Sequence, residues 1–277
     1  MQLFVRQYAG ISLSGRPLPQ QDAVMVAGRF GPEPALSNQV LSNQASVWQK
    51  SLLTEQISCG SPLLLAVADG VSASPAAAAA SRLVLKQLAH LWQQNGQSDQ
   101  QKCGQSGESS EIRLNSRMLR RCQQHITHQL GKKPTSFGAS TTVAVFEIVG
   151  DRFKAINAGD SRVWRYRQGL LEQLSVDHCF ASELKQQAGQ ALAQCYQALT
   201  SYLAADPDAE DFVVSVTEGT VQPGDQFMLT TDGIHDEVPS ELLAQCLALG
   251  EAGGAPLARL LNQYSFDDNA SLIWLCC

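Results

Sequence analysis

The chain has 277 residues, a net charge of −6 and 44% hydrophobic residues, enough apolar material for a buried core in one large domain or two small ones. Its Lys and Arg residues are scattered without a basic block, which argues against nucleic acid or an anionic membrane surface as a partner. No uninterrupted apolar run reaches membrane-spanning length, and the first residues lack the charged head and apolar centre of an export signal, so the expectation is a soluble, cytoplasmic protein.

Leu3 to Ala9 alternates as a first strand, and turn chemistry over 14–20 leads into Asp22 and a second strand ending at Ala27. Residues 28–62 are rich in Gly, Pro, Ser, Asn and Gln and read as a surface excursion or irregular hairpin. Leu63 to Ala68 is six apolar residues without helical spacing, a strand buried on both faces that ends in Asp69-Gly70. Ser74 as N-cap with Pro75 at the first helical position predicts a helix over 75–94. The polar, low-complexity stretch 95–108 reads as a surface loop. A second helix, capped by Ser109 or Ser110, places Leu119, Cys122, Ile126 and Leu130 on one face and stops at Gly131 and Pro134.

Strands over 140–149, 152–158 and 161–166, separated by Gly150-Asp151 and Gly159-Asp160, predict an antiparallel meander. Residues 181–205 look helical but irregular, 212–216 returns to strand, and 242–249 and 256–264 are short amphipathic helices before a final strand over 270–275. Meanders with helices in pairs suggest an α+β fold with helices outside packed sheets, and not a parallel doubly wound one. The eight cysteines show no Cys-x-x-Cys pair and no zinc spacing, and are read as reduced thiols.

A lone Asp-Gly is a turn signal, but here the arrangement recurs. Asp69-Gly70 follows one apolar strand and Asp232-Gly233 follows another, Phe227 to Thr231; Asp268-Asn269 precedes the last strand and Gln21-Asp22 precedes the second. Four strand ends that each present a carboxylate match what a hard divalent cation such as Mg²⁺ or Mn²⁺ requires. Nearly the whole chain separates Asp22 from Asp268, so if they meet at one site the expectation is a single domain over 1–277.

The ordered series Arg16 to Asp22, Ala68-Asp69-Gly70, Ser136 to Thr141, Asn157 to Arg162, Asp177-His178, Pro223-Gly224-Asp225, Thr231-Asp232-Gly233 and Asp268-Asn269 resembles the metal-dependent serine/threonine protein phosphatases, the type 2C class, from end to end. The resemblance implies a four-layer αββα sandwich of two antiparallel sheets flanked by helices, with two Mn²⁺ or Mg²⁺ ions at one end. It implies that Asp69 bridges both ions with the Gly70 carbonyl on one, that Asp232 and Asp268 hold the other, and that Asp22 acts directly or through water. Asp160 would serve a third, weaker ion, or simply close a turn paired to Arg162. Arg16 would clamp the phosphoryl group, Asp177-His178 would be structural, and 180–211 would be a flap beside the site. The implied reaction is hydrolysis of phosphoserine or phosphothreonine in a protein substrate by a metal-bridged hydroxide, without a phosphoenzyme, countering a cognate kinase and performed by a monomer.

The chain departs from the family pattern in two places. Where the family usually has Asn followed by Glu or Gln just before the aspartate, this chain reads Gln20-Gln21-Asp22, so that Gln21 supplies a neutral amide and Arg16 stands one residue farther off, and Val71-Ser72-Ala73-Ser74 replaces a loop that often carries a histidine. His235, two residues after Gly233, lies near the expected site. The departures keep a second reading open, a catalytically weakened module of the same fold that binds phosphoproteins or regulates a kinase.

Overall fold

The computed structural model describes residues 1–11, 18–28, 39–41, 50–56, 62–103, 111–180, 198–209 and 211–277. In chain order these form β1 (Gln2–Tyr8), β2 (Ala23–Gly28), β3 (Gln39–Leu41), β4 (Lys50–Gln56), β5 (Leu63–Ala68), α1 (Ala77–Cys103) and α2 (Ser116–Leu130). There follow β6 (Ser140–Thr141), β7 (Val143–Val149), β8 (Arg152–Ala158), β9 (Arg162–Arg167), β10 (Leu170–Gln173), β11 (Leu203–Ala204), β12 (Ser215–Thr220) and β13 (Gln226–Thr230). The chain closes with α3 (Asp232–His235), α4 (Ser240–Leu247), α5 (Gly254–Leu261) and β14 (Ala270–Cys276).

Two six-stranded sheets run in the orders β10-β9-β13-β14-β1-β4 and β12-β8-β7-β5-β2-β3, and every pairing is antiparallel. They stack through a core that includes Val5, Leu65, Val67, Phe146, Phe153, Phe227, Leu229 and Ile273. Within it the Phe146 and Phe227 rings lie 4.5 Å apart and Phe153 and Phe227 5.1 Å, each burial contributing about 1.5–3 kcal/mol. α1 and α2 cover the outer face of the second sheet through Leu85, Leu88, Leu119 and Ile126. α4 and α5 cover the first through Leu243, Leu257, Trp274 and Phe4. The outcome is the helix–sheet–sheet–helix sandwich of the expected α+β class.

Several local expectations give way. α1 runs to Cys103 through most of the stretch read as a loop; its Gln and Lys residues are good helix formers, and its one glycine, Gly96, lies against the Arg113 guanidinium. Ser74 is not a cap: its Oγ donates to the Val71 carbonyl (2.8 Å) and accepts from the Ser140 N–H (3.0 Å), tying the loop after Gly70 to β6. α2 begins at Ser116 after Asn115, beyond the serines expected to cap it. The described parts of 28–62 include the edge strands β3 and β4, one in each sheet, and β10 and β11 were not foreseen. β12 starts later than expected, at Ser215.

The expected three-strand meander is two strands only. β7 and β8 pair, but β9 joins the other sheet beside β13, so Gly159-Asp160 is a crossing between layers and not a hairpin. Gly159 makes the crossing at φ +103°, where a Cβ would also come within 2.5 Å of the Thr142 side chain.

Among the described residues no helix is long and apolar enough to cross a membrane. The thiols of Cys122, Cys246 and Cys276 are free.

Candidate metal centre

Register explains why the acidic strand ends meet. Ala23 pairs with Ala68, which sets Asp22 beside Asp69. Val67 pairs with Ala144 and Val143 with Ala158, which brings the end of β8 and Asp160 to the same rim. In the other sheet Thr230 pairs with Leu272, so the residues after β13 and before β14, Asp232 and Asp268, emerge together. The face-to-face stacking of the sheets then joins the two groups.

Asp22 is 1% exposed. Its Oδ2 accepts a hydrogen bond from Thr231 Oγ1 (2.9 Å), while its Oδ1 is buried without a hydrogen-bond partner. The backbone of Asp69 is gripped by β6 and the residue after it: its carbonyl accepts from Thr141 Oγ1 (2.6 Å) and the Thr142 N–H (2.8 Å). Gly70 is required by space, since a Cβ would stand 2.8 Å from the Ala77 backbone and 2.9 Å from the Gln21 carbonyl oxygen. Asp232 Oδ1 accepts from the Gly233 N–H (2.7 Å) and Asp268 Oδ1 from the Asn269 N–H (2.7 Å).

The proton affinities report how closely these groups crowd. Burial, with repulsion from Asp268, pushes Asp22 up to about 7 despite hydrogen bonds from Asp69, Ser271 and Thr231. Burial and then Asp232, Asp22 and Asp160 hold Asp69 well above the carboxylate range. Asp232 is raised well above it by burial and by Asp160, Asp22, Asp268 and Asp236. Burial, Asp177 and Asp236 bring Asp160 to about 6. Among the described residues no three Asp, Glu, His or Cys side chains are already drawn up as ligands of one ion; the carboxylates are electrostatic neighbours. An all-oxygen donor set, an orphaned buried Oδ1 and a glycine that leaves its carbonyl strand tightly packed fit a hard dication.

The structure thus brings together Asp22, Asp69, Gly70, Asp160, Asp232 and Asp268. Arg16 lies outside the described residues; Gly10 and Leu18, which flank that stretch, are joined by the Leu18 N–H to Gly10 carbonyl bond (2.7 Å). Arg162 does not close the turn with Asp160. Its guanidinium forks onto Asp177, with Nε at 3.0 and 3.1 Å and Nη2 at 2.7 Å from the carboxylate oxygens. His178 is a strut: Nδ1 accepts from the Gly159 N–H (3.1 Å) and Nε2 meets Ser215 Oγ (2.8 Å). His235 is turned to Thr230 Oγ1 (2.8 Å), and burial followed by Arg162 lowers it well below the histidine range. The flap stretch is described only at its ends, where Cys179 and Leu199 form a β-bridge.

One contributor, Asp236, escaped the sequence reading, and two that it named only within motifs, Asn269 and Thr231, acquire a role from the structure. Asp236 adds a carboxylate near Asp160 and Asp232, one helical turn after Asp232, a spacing that could have revealed it. Asn269 accepts from the Gly10 N–H (3.2 Å) and donates to the Pro19 carbonyl (2.9 Å), long-range contacts with no local signal. Thr231 is the donor to Asp22 Oδ2.

Fold and site together define a member of the protein phosphatase 2C family: the family's sequence model matches residues 52–265, and the chain belongs to it. The serine/threonine protein phosphatase PstP of Mycobacterium tuberculosis is 26% identical over 189 residues, 68% of this chain and 35% of that protein, so the chain spans about a third of the curated relatives it matches. The PstP catalytic domain in complex with two manganese ions superposes with a TM-score of 0.64 at 22% identity, over 99% of this chain and 98% of that one. PppA, a regulatory component of T6SS in Pseudomonas aeruginosa, gives a TM-score of 0.60 at 22% identity over 77% of this chain and 86% of its own.

Proposed function

We propose that this chain is a metal-dependent protein phosphatase that hydrolyses phosphoserine and phosphothreonine by direct attack of water, without a phosphoenzyme. The observation that carries the reading is the convergence of five aspartates from both sheets on one rim of the sandwich. Asp69, with the Gly70 carbonyl, Asp232 and Asp268 would hold two Mn²⁺ or Mg²⁺ ions, Asp22 would support them directly or through water, and Asp160 would serve a third. When bound, such ions supply Lewis acidity toward water and the phosphoryl oxygens. The protein's own part is to keep acceptor oxygens in place: Thr141 and Thr142 fix the Asp69 backbone, Thr231 fixes Asp22, and His178 with Arg162–Asp177 braces the crossing that carries Asp160. Arg16 is proposed as the phosphoryl clamp, its fork suited to two oxygens at once. The relatives' names support a phosphoprotein substrate, and with it a role in signalling that counters a kinase, exerted by a cytoplasmic, monomeric domain covering the chain, with 180–211 as a flap.

Phosphate release from a phosphothreonine peptide tests this. Turnover is expected with Mn²⁺, with a loss of at least about 100-fold on chelation or in Asp232→Ala. Full activity under either condition refutes the metal mechanism, and peptide binding without phosphate release would point to the weakened module.

A further inference from the structure

We infer that Thr231 is the positioning residue for Asp22, setting which carboxylate oxygen faces a bound cation and so tuning the site's affinity for the ion; the inference rests on the metal-site reading above. Thr231 is fully buried at the junction of β13 and α3. Its N–H donates to the Ser271 carbonyl (3.1 Å) and its Oγ1 accepts from the Ser271 N–H (2.9 Å). That acceptance leaves the hydroxyl proton for one partner, Asp22 Oδ2, 2.9 Å away. The contact spans the two layers, since Asp22 directly precedes β2 of the second sheet and Thr231 directly follows β13 of the first.

The other side of Asp22 is left as it is for a reason. Gln20 Oε1 accepts from the Asp22 backbone N–H (3.1 Å), and Gln7 Nε2 donates to Ser271 Oγ (3.1 Å), which braces the strand behind Thr231. Nothing of this kind reaches Oδ1, which is buried and without a hydrogen-bond partner. Burying a carboxylate oxygen unpaired is costly, and Thr231 holds the side chain from its Oδ2 side. By fixing Oδ2, Thr231 sets the orientation of the carboxylate and leaves Oδ1 as the oxygen available to a cation.

Mn²⁺ binding by calorimetry, without substrate, tests the inference. Thr231→Val keeps the shape and removes the hydroxyl; the Mn²⁺ dissociation constant is expected to rise about tenfold, the loss of one hydrogen bond to a charged group. Thr231→Ser should restore the wild-type constant within about twofold, and Thr231→Cys, with a weak S–H donor, should fall between. In an Asp22→Asn background the Thr231→Val effect should vanish, because a residue acting through Asp22 has nothing left to act on. Wild-type affinity in Thr231→Val overturns the inference. So does a Thr231→Ser variant as impaired as Thr231→Val, or an effect that persists unchanged without Asp22, which would mark a purely structural role. If Thr231→Val does not fold, wild-type affinity in Thr231→Cys overturns it equally. Wild-type protein that takes up no Mn²⁺ sinks the metal-site reading itself, a result distinct from any of these.

Discussion

Glu147 offers a test of the scaffold away from the rim. It is fully buried on β7, four residues in from the site end of that strand, or roughly 13 Å at about 3.3 Å per residue. Its Oε1 accepts from the Trp92 indole N–H (2.6 Å), and its Oε2 accepts from the backbone N–H groups of Arg113 (2.9 Å) and Leu114 (2.6 Å). One carboxylate thus clips α1 and the approach to α2 onto the second sheet. Glu147→Gln is isosteric but offers one acceptor oxygen in place of two. The better orientation keeps both backbone bonds and sets an amide NH₂ against the Trp92 N–H. The loss of a bond to a charged group, about 1.5–3 kcal/mol, is partly offset by not burying the charge, leaving a destabilisation of about 2 kcal/mol. Burial raises the Glu147 pKa even against these donors. A carboxyl raised above its unfolded value contributes stability in acid that is lost as pH rises through the folded value. The gap between wild type and Glu147→Gln should therefore be wider near pH 4 than at pH 7. Urea unfolding of the metal-free protein followed by tryptophan fluorescence reads both effects, and Mn²⁺ binding should stay unchanged. An unaltered midpoint, or a gap that grows with pH, would show that the donors outweigh burial and refute the reasoning.

Gly70→Ala should lower metal-dependent turnover about 100-fold, because the added Cβ must displace the Ala77 or Gln21 backbone beside Asp69; steady-state assays at saturating Mn²⁺ decide it, and wild-type rates would show that the rim yields freely. Asp225 is forked by Arg167 (2.6 and 2.5 Å) and receives the Gln222 N–H (2.7 Å). Burial alone would raise it, but these donors hold it below the usual range. Its stabilisation is present above the unfolded pKa of about 3.9 and is lost as pH falls through the lower folded value. Asp225→Asn should cost about 1–2 kcal/mol at pH 7, with the difference in urea midpoint closing toward pH 3.

The repeated strand-plus-aspartate pattern was legible because a carboxylate at the end of an apolar run has no use in a core. It located Asp22, Asp69, Asp232 and Asp268 without any knowledge of pairing. What the sequence hid was partnership across distance. Gly159-Asp160 looks like a hairpin turn in one dimension, and only the pairing of β9 with β13 reveals that it passes from one sheet to the other. Ser74 followed by Pro75 has the composition of a helix start, yet the serine is spent on β6, 66 residues away. The polar stretch after Gln94 lacks apolar periodicity, but helix propagation from a well-packed N-terminal half carries it to Cys103. Asn269, Thr231 and Arg162 act through neighbours 15 to 259 residues distant, which no local pattern encodes.

The split origin of the rim has a mechanical result. Asp22 and Asp69 belong to one layer and Asp232 and Asp268 to the other, so an ion shared among them would act as a rivet through the sandwich, adding its binding free energy to resistance against sliding of the layers. Toward the far end, where Phe146, Phe153 and Phe227 interlock, the same two layers are joined by oil. With an ion in place the molecule would be bolted at one end by charge and glued at the other by apolar contact, and only the bolt could be withdrawn.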